Sequence, residues 1–242
     1  MILKWFVWLM VVFSASLAGA GERHAEESVE CVILLHGLAR TSRSMQQIAL
    51  KLEEEGFQVV NVDYPSRKHD IGALAHLAVS QGISQCRSNS KLNFVTHSLG
   101  GILVRYYYAE NPKARLGRVV MLAPPNQGSE VVDRLRNVPG FNLINGPAGS
   151  QLGTDGDSIP QNLGLVDFEL GIIAGTQTIN PILSQLLPNP DDGKVSVNRT
   201  KVDGMADFVT VPHSHALLMD APDVLELVLA FLNSGSFELT GN

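Results

Sequence analysis

Short apolar runs alternate with amphipathic stretches along almost the whole chain, and this rhythm constrains the fold more than any other feature. Residues 32–35 are uninterruptedly apolar and end at His36-Gly37, the pattern of a strand buried on both faces of a parallel sheet. Residues 57–62, 92–96, 119–123, 170–174 and 208–211 are five further strand candidates. Between the first two, Met45, Ile48, Ala49 and Leu52 share one helical face; Ser44 and Gln47 fit a capping box, and Gly56 stands where a C-terminal cap is wanted. Ile71, Leu74, Ala75, Ala78 and Val79 repeat at helical spacing, residues 99–109 form a helix halted by Asn111-Pro112, and Pro222 opens a last amphipathic helix to about residue 232. Such alternation predicts an α/β fold: a six-stranded, mainly parallel sheet with helices on both faces and right-handed crossovers.

A chain of 242 residues, 45% of them hydrophobic, suits one domain with a sizeable core. The formal net charge of −6 offers no basic face to neutralise phosphates or anionic lipid headgroups, which argues against nucleic-acid binding. The first twenty residues differ in character. Lys4 is a positive n-region, residues 5–13 are apolar, and Ala18-Gly19-Ala20 is a small-residue cleavage site, so residues 1–20 are expected to be a signal peptide. An uncleaved anchor is the alternative, against which the apolar run is shorter than the roughly 20 residues that span a bilayer. Residues 21–242 are then expected to form a single exported domain, periplasmic or secreted.

Residues 126–166 break the rhythm. They are rich in glycine and proline, including Pro139, Gly140, Gly146, Pro147, Gly149, Gly153 and Gly156. A long irregular insertion in a compact domain is usually functional or mobile. Here it follows the strand after the 99–109 helix, from where it can cover the C-terminal edge of the sheet, where ligands bind in such folds. A surface excursion remote from any site is the other reading.

The most specific chemical signal is Phe94-Val95-Thr96-His97-Ser98-Leu99-Gly100-Gly101, an apolar strand running straight into a helix with a serine at the bend. This is the setting of a nucleophile elbow, where a strained turn lifts the serine hydroxyl above the sheet and small residues let the helix approach the strand. Together with residues 32–38 (Val-Ile-Leu-Leu-His-Gly-Leu), residues 62–66 (Val-Asp-Tyr-Pro-Ser), Asp192-Gly193 and His215, it makes the chain resemble the lipase-like branch of the α/β-hydrolase family, the small bacterial triacylglycerol lipases and esterases. Thr96 departs from the family, which more often has glycine there.

The resemblance implies an ester hydrolase whose nucleophile, acid and histidine follow in that chain order. Seven histidines compete. His24 lies in the N-terminal tail, His69 and His76 fall before or on a helix, and His36 and His97 belong to motif loops that the family uses structurally. His213 and His215 follow the last strand, and the context of His215 matches the family's base better. Asp191 and Asp192 both follow the fifth strand; Asp-Gly followed by an apolar residue nearby selects Asp192. The family's oxyanion donors correspond to the backbone N–H groups of Leu38 and Leu99. In the implied fold the strands opened by Cys31 and preceded by Cys86 are neighbours, so a Cys31–Cys86 disulfide is expected, two buried thiols being the alternative. No cofactor is implied and no His/Cys cluster has zinc-ligand spacing. The expected substrate is a small-molecule ester or lipid, with transient contact to a lipid surface. Acyl transfer on the same residues and a non-catalytic binding protein of this fold are the rival functions.

Overall fold

The computed structural model describes residues 30–239. The signal peptide expected at 1–20 lies outside them. Six strands form one sheet: β1 (Cys31–Leu35), β2 (Gln58–Val62), β3 (Leu92–His97), β4 (Leu116–Leu122), β5 (Leu170–Gly175) and β6 (Asp207–Val211). Their order is β2-β1-β3-β4-β5-β6 and every pairing is parallel.

Alternation along each strand sorts the core into two layers. Ile33, Leu35, Phe94 and Met121 face one side, where they pack with residues of α2 (Ile71–Gln85) and α3 (Leu99–Glu110). Val32, Leu34, Val95 and Leu122 face the other, against α1 (Gln46–Glu54) and α9 (Pro222–Ser234). The helical faces legible in the sequence are the buried ones: Ile71, Leu74, Ala75, Ala78 and Val79 are all fully buried. Asp70 caps α2 by accepting the N–H of Ala73 at 2.8 Å. Pro222 opens α9, and Gly235 closes it in the left-handed region at φ +81°.

The capping box expected at Ser44 and Gln47 does not form. Residues Ser42–Met45 make one 3-10 turn, and the Ser44 hydroxyl donates back to the Thr41 carbonyl, so α1 begins only at Gln46. The 126–166 segment is likewise less irregular than its composition suggests. It holds α4 (Glu130–Leu135), α5 (Phe141–Ser150) and α6 (Ile159–Asn162), with α5 broken at Gly146, φ +67°, ahead of Pro147. These helices are too short, and too interrupted by glycine and proline, to leave a clear period in the sequence. Two short helices complete the set, α7 (Pro181–Ser184) and α8 (Val197–Thr200).

Chain direction across the sheet decides where a ligand can sit. From β1 the chain moves outward to β2, returns across β1 to β3, and then proceeds through β4 and β5 to β6. Strand order therefore reverses between β1 and β3, and the crevice at their C-terminal ends is the topological switch point. The β1 loop carrying Leu38 and the Ser98 turn both open there.

Cys31 and Cys86 form a disulfide with Cα atoms 5.9 Å apart, tying the start of β1 to the end of α2. Among the described residues no helix is long and apolar enough to cross a membrane.

Candidate active site

Ser98 follows β3 and immediately precedes α3 with φ +51° and ψ −116°, a conformation disfavoured for a residue with a side chain. The strain persists because the neighbours leave no alternative. A Cβ on Gly100 would lie 2.5 Å from the Leu35 carbonyl oxygen, so α3 starts in direct contact with β1. Leu99 is the first residue of α3, and its N–H therefore has no intrahelical acceptor. Thr96, where glycine is more usual, fits: it is fully buried and its hydroxyl points at the Val120 carbonyl on β4, 3.5 Å away.

The loop after β1 is held by the loop after β2. The Tyr64 ring stacks on His36 at 4.0 Å and its hydroxyl donates to the His36 carbonyl. The Tyr64 N–H donates to His36 Nε2 at 3.3 Å, so the other ring nitrogen carries the proton and donates to the Gly37 carbonyl at 2.9 Å. Burial lowers the His36 pKa and keeps it neutral. One turn further on, Ser66 Oγ accepts the Ala39 N–H at 3.1 Å, bracing a residue with φ +55° next to Leu38.

His215 is fixed at three points. Its N–H donates to the Asp192 carbonyl at 3.0 Å, its own carbonyl accepts from His97 Nε2 at 3.0 Å, and its Nδ1 donates to Asp192 Oδ2 at 2.7 Å. Asp192 is buried, and its Oδ1 accepts the N–H groups of Lys194 and Val195 at 2.9 and 2.8 Å. Three hydrogen bonds thus orient that carboxylate, two at Oδ1 and one at Oδ2, and Nε2 is the imidazole nitrogen left free. His97 is the support beneath. It must donate through Nε2, since its partner is a carbonyl, and its Nδ1 lies buried without a partner. Burial, then the nearby His215, holds its pKa well below the usual histidine value, so it is neutral.

The competing candidates are occupied elsewhere. Asp191 Oδ1 accepts the Gly193 N–H at 2.7 Å and its Oδ2 accepts from Ser184 Oγ at 2.6 Å, which shapes the loop. His213 Nε2 pairs with Asp223 at the start of α9, at 2.7 Å.

Leu38, Ser98, Asp192 and His215 all line one cavity of about 590 Å³. Ser98 Oγ and His215 share its wall without a hydrogen bond between them, and such bonds often tighten only when substrate binds. Much of the remaining wall comes from the insertion: Val131, Val132, Leu135, Phe141, Ile144 and Leu152. Ile179 and Leu183 line another part. Two buried anchors hold the insertion in place. Ser129 Oγ donates to the Lys194 carbonyl at 2.7 Å, joining its start to the Asp192 loop. Arg105 of α3 donates to the Asn126 carbonyl at 2.9 Å and to the Gly164 carbonyl at 2.6 Å, clamping both ends together. Burial lowers the Arg105 pKa to about 10, so it remains a cation. Neither anchor was singled out in the sequence; an arginine in the otherwise apolar first turns of α3 was the available signal.

A net charge of −6 suggested no basic face, yet Arg40, Arg67 and Lys68 share a groove beside this cavity in which Asp63 is the only acidic residue among those described. Arg40 follows β1 and the other two follow β2; parallel pairing brings both loops to one edge.

No protein-family model matches the sequence, and none of the curated proteins matches it. Solved structures do. The mature form of the Bacillus licheniformis lipase BlEst2 is 17% identical with a TM-score of 0.67, over 87% of this chain and 94% of that one. Phospholipase PlaB from Legionella pneumophila is 19% identical with a TM-score of 0.67, over 86% of this chain and 59% of that one. Aspergillus fumigatus lipase B is 15% identical with a TM-score of 0.66, over 86% of this chain and 53% of that one. The chain thus spans nearly all of the first and little more than half of the other two. It has the α/β-hydrolase fold in the arrangement seen in solved lipases and esterases.

Proposed function

We propose that the protein is a serine hydrolase of carboxylic esters with Ser98 as nucleophile, His215 as general base and Asp192 as the acid that orients it. The observation that carries this reading is the buried 2.7 Å Asp192–His215 hydrogen bond on the wall of the cavity that also holds the strained Ser98 turn. With Nδ1–H committed to the carboxylate, Nε2 can take the Ser98 proton as Oγ attacks the acyl carbonyl. The N–H groups of Leu38 and Leu99 receive the charge that develops on the carbonyl oxygen. Collapse expels the alcohol, protonated by His215, and leaves an acyl group on Ser98. Water, deprotonated by the same imidazole, then releases the acid and restores the enzyme.

The apolar cavity wall supports an acyl chain as the group bound, and lipase and esterase structures of the same fold support the reaction class. The share of that wall supplied by residues 131–152 supports the insertion as its cover. The Cys31–Cys86 bond supports folding in an oxidising compartment, and hence export of a single domain after removal of residues 1–20. A fluorophosphonate probe tests the core of the proposal: it should label the wild type and not Ser98→Ala. Equal labelling of the two would refute it. A p-nitrophenyl ester series of increasing chain length, run with and without an added alcohol, then reads acyl preference and separates hydrolysis from acyl transfer.

A further inference from the structure

We propose that the groove lined by Arg40, Arg67 and Lys68 is a phosphate subsite, so that the preferred ester is a lipid carrying a phosphate on its glycerol. The inference rests on the ester-hydrolase reading and names its substrate class.

Three observations lead to it. First, the groove is cationic in an acidic protein: Arg40, Arg67 and Lys68 oppose only Asp63, and Asp63 already accepts the Ser42 N–H at 2.9 Å. Among the described residues none of the three cations is in an ion pair. Charges beyond a Debye length of about 8 Å are screened, so the local excess, not the net charge, is what a bound phosphate meets.

Second, the groove adjoins the catalytic cavity. Arg40 and Ile144 line both. Arg40 is two residues from Leu38, which places their Cα atoms within about 7 Å of each other by chain length alone. In a glycerophospholipid the phosphate and the nearest ester carbonyl are also only a few bonds apart. An acyl chain in the apolar cavity would thus leave the headgroup beside Arg40.

Third, the groove is built, not incidental. Ser66 in its floor holds Ala39, and Gly146 packs so tightly on the Arg67 carbonyl that a Cβ there would collide with it. Gln151 Oε1 accepts the Ile71 N–H at 2.8 Å, so the 64–71 loop and the insertion are latched together. Leu143 and Ile144, exposed by 85% and 61%, stand on the insertion side of the same groove. They give a lipid an apolar contact flanking the cations.

The test compares dihexanoyl phosphatidate with dihexanoylglycerol, both monomeric, on the wild type, Lys68→Gln and the Arg67→Gln/Lys68→Gln double variant. Both side chains are exposed, and the single variant guards against a folding defect in the double. The wild type should prefer the phosphatidate. The ratio of kcat/KM between the two esters should fall about tenfold for each charge removed, what one charge-assisted hydrogen bond contributes. An unaltered ratio, or a fall seen on lipid vesicles but not on the monomeric pair, overturns the subsite. Calorimetry with the non-hydrolysable dihexyl ether of phosphatidate needs no turnover. It should bind the wild type and lose affinity in the variants, even for a protein that cleaves no ester, so failure of the hydrolase reading would be seen separately. Equal affinity for inorganic phosphate and the ether lipid would also overturn the proposal.

Discussion

Replacing Asp192 by asparagine is the most informative single change, because the geometry allows the amide only two orientations and both are bad for the reaction. If the amide oxygen keeps the Oδ1 position it retains the Lys194 and Val195 N–H bonds at 2.9 and 2.8 Å, and its NH2 then faces His215 Nδ1 at 2.7 Å. A donor there forces the imidazole proton onto Nε2, the atom proposed to accept the Ser98 proton. The flipped amide keeps the useful tautomer but sets NH2 against two backbone donors. Leaving two buried N–H groups unsatisfied costs about 2–6 kcal/mol. The reactive arrangement is therefore a minor one, and the imidazolium formed in the reaction loses its carboxylate as well. Together these predict a fall in kcat of about 10⁴, equivalent to about 5.4 kcal/mol of barrier. KM for p-nitrophenyl butyrate and the melting temperature should change little, since the side chain is isosteric. Asp191→Asn is the control: its oxygens bind Ser184 and Gly193, so kcat should stay within about tenfold. A folded Asp192→Asn retaining more than about a tenth of wild-type kcat would refute the assignment of the acid and the tautomer argument with it.

Three further outcomes follow from the same structure. Ser98→Gly and Ser98→Ala should both be inactive, but glycine relieves the φ +51° turn, so its melting temperature should exceed that of the alanine variant by about 2–4 °C, equivalent to about 1 kcal/mol; equal values would deny the strain. Reducing the Cys31–Cys86 bond, which closes a sequence separation of 55, should lower stability by about 4 kcal/mol in urea titrations with and without reductant. His97 and His36 have pKa values lowered below 6.5 in the folded state, so on acidification the unfolded chain takes up protons first. Stability is then full above pH 6.5 and declines below it, by up to about 1.4 kcal/mol per pH unit for each histidine. The slope between pH 6.5 and 5 should flatten in His97→Gln, which keeps a donor for the His215 carbonyl; an unchanged slope would mean that His97 is not kept neutral by the fold.

What could be read from the sequence was whatever depends on near neighbours in the chain. The inner strands β1, β3, β4 and β5 are largely buried and read as apolar runs, and the edge strands β2 and β6, though only partly buried, keep short apolar stretches, so all six were legible to within a few residues; the strand-serine-helix junction at Ser98 is likewise a local pattern. The Cys31–Cys86 pairing needed only the adjacency of two strands. Features that depend on a few side-chain contacts were read less well. Ser44 chose a carbonyl in the preceding turn over capping, and the short helices between residues 126 and 166 are held by Arg105 and Ser129 rather than by a period of their own. Between Asp191 and Asp192 the sequence offered a motif; only the folded loop shows one carboxylate turned to Ser184 and the other to His215. The same is true of charge. Summed along the chain it is negative, but parallel pairing of β1 with β2 gathers Arg40, Arg67 and Lys68 at one edge. Periodicity is a property of the chain, whereas convergence at the C-terminal ends of the strands is a property of their order in the sheet, which no stretch of sequence contains.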